Sequence, residues 1–204
     1  MSVPRSATLS SAQSARVATT WRLPALLLFV SGAAALVYQV LWIKQLSLVV
    51  GVEGYAITTG ISGFFAGLAL GGLLFGRWAD RMAQPLLLYA ALELLVAVLG
   101  IAATVSLGQA AAPFAWLEQQ LGLAAWLLPF SLVGIPAFLM GGTLPVLMRA
   151  LAADPQQLGR AGARLYAANT AGAIVGTLLA AFVLIASLGV RGSAMAAALL
   201  NLLA

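Results

Sequence analysis

The stretch LYAALELLVAV, Leu88 to Val98, places one carboxyl group in the middle of an apolar run. Glu93 stands eight residues after Pro85. At about 1.5 Å per helical residue that is about 12 Å of depth, near the middle of a hydrocarbon core about 30 Å thick. A carboxylate there is costly and by default marks a functional candidate. A structural role stands beside it, with the acid protonated or hydrogen-bonded to Tyr89 or to a polar group on another span. Tyr38 and Gln39 in LVYQVLWIK, and Asn169 and Thr170 in YAANTAGA, are further polar groups inside apolar runs. Such amides and hydroxyls either bond one helix to another or touch a substrate. Glu93, Gln39, Asn169, Thr170 and Tyr38 are thus the candidate intramembrane site.

Other chemistries have little to work with. The chain has no cysteine and no histidine, which removes disulfides, thiolate nucleophiles, imidazole bases and the commonest zinc and haem ligands. No metal site is expected. In the loop GRWADRMAQP, Gly76 to Pro85, Asp80 is placed to pair with Arg81, Arg149 or Arg164 as a latch between helices. The alternative is that these charges are solvated and set topology. Lys44, beside Trp42, reads as an interface anchor whose ammonium reaches outward.

The elements that must position these groups are membrane helices. Of the 204 residues 63% are hydrophobic and 7% charged, whereas about a quarter are charged in a soluble domain. The expected fold is therefore an all-α polytopic membrane protein. Six apolar stretches are legible: Leu23–Ile43, Tyr55–Phe75, Pro85–Leu107, Leu123–Leu147, Leu165–Leu188, and a last one beginning near Gly192 that is shorter than the roughly 20 residues a span needs. Arg5, Arg16, Arg22, Arg77, Arg81, Arg149, Arg160 and Arg164 fall on one side, and only Lys44 and Arg191 on the other. By the positive-inside rule the amino terminus is cytoplasmic. The net charge of +5 thereby reads as orientation, and no nucleic-acid partner is expected. Residues 1–22 read as a disordered polar cytoplasmic tail, with a targeting segment as the alternative, and residues 23–204 as the membrane domain.

Glycines four apart, Gly63, Gly67 and Gly71 in one run and Gly172 and Gly176 in another, predict flat stripes for close helix packing. Pro136 and Pro145, among Gly134, Gly141 and Gly142, predict a kink or break in the fourth span. Phe114, Trp116, Leu117, Leu121 and Trp126 around Glu118 predict a short surface helix at the outer interface. Asp154-Pro155 predicts a turn.

Taken in order, SGAAALVYQVLWIKQLSLVVG, FFAGLALGGLLFGRWADR, LYAALEL, MGGTLPVLMRAL and the run from Gly159 to Ser193 resemble the membrane domain of bacterial fused facilitator-like/spermidine synthase proteins. The resemblance spans Leu23 to Ala204. The Asp80-Arg81 loop resembles that of the major facilitator superfamily in part, with Ala83, Gln84 and Pro85 departing from it. Gln39 and Lys44 stand where the family pattern has Glu and Arg, which weakens any charge relay there.

What the resemblance implies is half of a facilitator fold, with two inverted three-helix repeats as one arrangement. It implies a bacterial inner-membrane location and a cytoplasmic catalytic domain beyond these residues, transferring an aminopropyl group from decarboxylated S-adenosylmethionine to a diamine. Neither GRAGA nor GAIVG fits a nucleotide-binding glycine spacing, and no catalytic constellation is legible in the chain. Three roles stay open: a membrane part that anchors the enzyme or passes a polyamine-like substrate or product, a half-size transporter working as a homodimer, and an accessory subunit of another membrane complex.

Overall fold

The computed structural model describes residues 22–151 and 155–204, and everything it describes is helix or short turn. The polar tail before Arg22 and the residue Asp154 lie outside the described residues, and Pro155 opens a helix. Helix is what such a sequence must form in lipid, since each backbone group has to find its partner within its own segment. The elements are α1 (Arg22–Val50), α2 (Glu53–Ala79), α3 (Pro85–Leu107), α4 (Ala111–Leu121), α5 (Leu127–Leu151), α6 (Pro155–Leu179) and α7 (Ile185–Leu203). A 3₁₀ turn at Gly122–Trp126 joins α4 to α5, and a π turn at Ala180–Leu184 joins α6 to α7.

Among the described residues five helical stretches are long and apolar enough to cross a membrane, the fifth running from Gly162 to Leu203. That stretch is bent back on itself at Gly189, whose φ of 66° and ψ of −176° no helix contains. The part beyond Gly189 is helical to Leu203, about 21 Å of helix at 1.5 Å per residue. The stretch expected to begin near Gly192 belongs to a returning helix, packed on α1 and α3.

Packing partners run in the same direction. Gly63, Gly67 and Gly71 of α2 meet Phe130, Gly134 and Phe138 of α5 in that order. Gly172 and Gly176 of α6 meet Phe29 and Ala33 of α1. At Gly71, Gly172 and Gly176 a Cβ would overlap a backbone carbonyl of the opposite helix, which explains why the stripes are glycine. The α1/α6 and α2/α5 pairs, with α3 between α1 and α5, make up most of the bundle.

The prolines do not break the fourth span. α5 runs as one helix through both Pro136 and Pro145, because the carbonyls and gaps that proline leaves are tolerated where neighbouring helices close around them. The interruption comes instead at the π turn and at Gly189. At the end of the bundle away from Arg22, Phe114 of α4 is buried with Val49, Ala110 and Ala125, and Trp126 meets it edge to face. The short helix expected there thus plugs the bundle end with one face while Trp116, Glu118 and Leu121 stay exposed.

Candidate functional site

The site follows from two buried stripes. On α3 the residues Leu92, Glu93, Val96, Ala97, Gly100, Ala103, Thr104 and Leu107 are buried, and on α1 Ser31, Ala34, Val37, Tyr38, Leu41, Trp42 and Gln45. Both follow the three-four spacing of a single helix face. The two faces meet in parallel, and a ladder of polar contacts marks the register. Ser31 Oγ donates to Glu93 Oε1 at 2.6 Å. The Tyr38 hydroxyl reaches the Ala97 carbonyl at 3.5 Å, its ring lying over Gly100 where any Cβ would collide with it. Trp42 Nε1 donates to Thr104 Oγ1 at 3.0 Å, and Gln45 Nε2 donates to the Thr104 carbonyl at 2.8 Å.

Glu93 is 2% exposed and is held from two sides. Beyond Ser31, Asn201 Nδ2 on the returning part of α7 donates to Oε2 at 2.7 Å. Each carboxyl oxygen therefore accepts one hydrogen bond from a different helix, as a buried acid requires. Tyr89 lies one turn before Glu93 on α3, and its buried hydroxyl has no hydrogen-bond partner among the described residues. The Oδ1 of Asn201 is likewise without one. No arginine or lysine among the described residues pairs with the carboxyl.

The five candidate residues do not form one cluster. Tyr38 is fully buried and stacks on Trp42, ring centroids 5.3 Å apart, so it fills the α1/α3 seam. Trp42 is equally buried, so the neighbour of Lys44 is a core residue while Lys44 itself is exposed. Gln39 is buried but belongs neither to the partners of Glu93 nor to the lining of the adjacent cleft. Thr170 is exposed and is parted from Asn169 by the turn of the helix. Asn169 lines a cleft of about 210 Å³ between α1, α2, α5 and α6, together with Ser31 and Thr143. Ser31 thus connects the two features, bonding Glu93 and facing the cleft.

At the basic end of the bundle, Arg149 Nε lies 3.3 Å from Asp80 Oδ1. The pair continues the α2/α5 register, one turn beyond the approach of Gly76 to Pro145. Arg81, the third residue of the expected latch, is exposed and is not in an ion pair among the described residues.

With the geometry described, comparison adds one relative. The chain is 32% identical over 203 residues to a polyamine aminopropyltransferase of Corynebacterium efficiens. That alignment takes in 94% of the chain and 36% of the relative, so the chain spans about a third of the length of the protein it matches. No family model matches the sequence, and no solved structure matches it.

Sequence reasoning missed Ser31, Asn201, Thr104 and Gln45. Each is a polar residue in an apolar run and was visible as such. Their partners stand 62, 108, 62 and 59 residues away in the sequence, a pairing that no local periodicity carries.

Proposed function

We propose that the chain is the membrane part of a spermidine-synthase-like protein, holding an aminopropyl-transferring domain at the bilayer and handling its amine substrate or product there. The observation that carries this reading is the alignment. It covers nearly all of the chain but only 36% of a polyamine aminopropyltransferase, and it falls on a helical bundle suited to lipid. In this reading the bundle lies in a bacterial inner membrane with its arginine-rich end cytoplasmic.

The chain's own residues would not hold decarboxylated S-adenosylmethionine. The described residues include no strand, and a nucleotide-type cofactor rests on a strand followed by a glycine-rich loop. That cofactor would supply the transferred aminopropyl group in a domain outside these residues, and no step of the transfer is assigned here to Glu93 or its neighbours.

The test is the protein made from its native gene. Intact mass from native membranes should lie well above 20.9 kDa. The membrane fraction should form a triamine from decarboxylated S-adenosylmethionine and 1,4-diaminobutane, and removal of residues 22–204 should release that activity to the soluble fraction. A mass matching 204 residues, or membranes with no transfer activity, would refute it.

A second reading draws on the helix pairing. In an inverted three-helix repeat the first span maps onto the fourth and the second onto the fifth, so a first-with-fifth contact becomes a fourth-with-second one. The parallel α1/α6 and α2/α5 pairs are related in that manner, with the cleft between them. This supports a facilitator-like arrangement of the helices, and with it the reading as a half-size transporter, for which a second copy would supply the other half. Amine uptake into proteoliposomes by the 204-residue chain alone, with a dimer seen by cross-linking, would decide for it.

A further inference from the structure

We propose that the cleft between α1, α2, α5 and α6 binds the ammonium end of an alkylamine through the oxygens of Ser31, Thr143 and Asn169, with the carboxyl of Glu93 directly behind Ser31. Where the hydroxyl hydrogens go decides what the cleft can bind. The Ser31 hydroxyl hydrogen is committed to Glu93, and that of Thr143 to the Met140 carbonyl at 2.9 Å. A hydroxyl that has given its hydrogen offers only lone pairs. Both residues line the cleft, so a guest that reaches their hydroxyls meets acceptor oxygen. Asn169 adds a side-chain carbonyl, which lies so near α1 that a Cβ on Gly32 would stand 2.8 Å from it.

No arginine, lysine or acid among the described residues lines the cleft; Tyr166 adds a largely exposed phenol, and Phe64, Leu68 and Met140 give an apolar wall. A guest matched to that lining carries several N–H donors on a hydrocarbon stem. A primary ammonium has three donors and no acceptor, and three oxygens await it. Donation to Ser31 would also lengthen a chain of hydrogen bonds ending on the carboxyl, in which each bond polarises the next. Glu93 has no cationic partner among the described residues, and the ammonium would become one.

This inference deepens the amine-handling part of the proposed function and rests on that reading only for the choice of a diamine as probe. The experiment uses the protein in lipid nanodiscs, with thermal stability and calorimetric binding measured against 1,4-diaminobutane and against 1,4-butanediol, its neutral counterpart. The diamine should stabilise and the diol should not. Thr143→Val, which keeps the side-chain shape and removes the oxygen, should weaken diamine binding about tenfold, and Thr143→Ser should restore it. Glu93→Gln, which keeps a carbonyl toward Ser31, should abolish the stabilisation.

Equal stabilisation by the diol, or diamine binding unchanged in Thr143→Val, would overturn the site. Binding unchanged in Glu93→Gln would overturn the role of the carboxyl. Transfer activity measured on the same samples separates the two claims. Diamine stabilisation lost in Thr143→Val, in a protein without aminopropyl transfer, upholds the site and sinks the enzymatic reading. Transfer without any cleft-dependent binding does the reverse.

Discussion

If the bundle is held by close approach of α2 and α5, the glycines of one stripe must differ in how much a methyl group costs them. At Gly67 an added Cβ would stand 2.6 Å from the Gly134 carbonyl oxygen and 2.8 Å from the Ala137 Cβ. Ordinary contact begins at 3.4 Å, so the helices must part by roughly 0.8 Å, a gap that forfeits a quarter to a half of each dispersion contact along the seam. The obstacle is backbone and cannot rotate away. Gly67→Ala should therefore cost about 2–3 kcal/mol, in the range of overpacked cores. Gly72, five residues on, would place its Cβ 3.4 Å from the Gly141 carbonyl, and Gly72→Ala should be neutral within about 0.5 kcal/mol. Gly54 has nothing within 4 Å, and its alanine variant should gain up to about 0.5 kcal/mol of helix propensity. The assay is reversible unfolding in mixed micelles with rising dodecyl sulfate, followed by helical circular dichroism. Equal losses for Gly67→Ala and Gly72→Ala would refute the packing argument, since the two changes differ only in what the methyl group meets.

Asn201→Leu leaves Glu93 Oε2 buried without its donor and should cost about 1–3 kcal/mol, with much of the loss absent in a Glu93→Leu background; strictly additive losses in the same unfolding assay would contradict the bond. The Asp80–Arg149 pair is about half exposed at Arg149 and more so at Asp80, so a double-alanine cycle should give a coupling of about 0–1 kcal/mol that shrinks with salt, and a coupling near 3 kcal/mol would show the pair to be shielded from water. Gly189→Ala meets no neighbour within 4 Å, so its cost comes from the backbone alone, about 1–3 kcal/mol for a conformation that glycine alone adopts readily. An unchanged stability there would mean that the bend forms in some other conformation.

Where the sequence was legible, it was through composition and breaks. Pro85 and Gly108 bound α3 where the apolar run begins and ends, because a proline suits the first helical turn and the run itself dictates burial in lipid. The stripe from Gly63 to Gly71 announced a close neighbour but not which one, since small residues make a surface that any helix fits. Glu93 announced itself by depth. Its partners did not, because Ser31 and Asn201 are unremarkable in apolar runs until α1 and α7 are placed beside α3. Pro136 and Pro145 pointed to a kink or break, and the break is not there for a local reason: proline disfavours an isolated helix, whereas inside a bundle its neighbours determine whether the helix continues.

The order in which Glu93 meets its partners has a consequence for how the protein is made. Ser31 precedes the acid in the chain by 62 residues and is already synthesised when α3 enters the membrane, but Asn201 follows by 108. At about 5–20 residues per second, roughly 5–20 s of translation separate the carboxyl from its second donor. For that interval the growing chain holds Ser31 but not Asn201, while α6 is completed 22 residues before Asn201. Delivery of α7 is then the event that completes the acid's coordination, so a chain arrested before Asn201 would leave Glu93 Oε2 without the donor it has in the finished bundle.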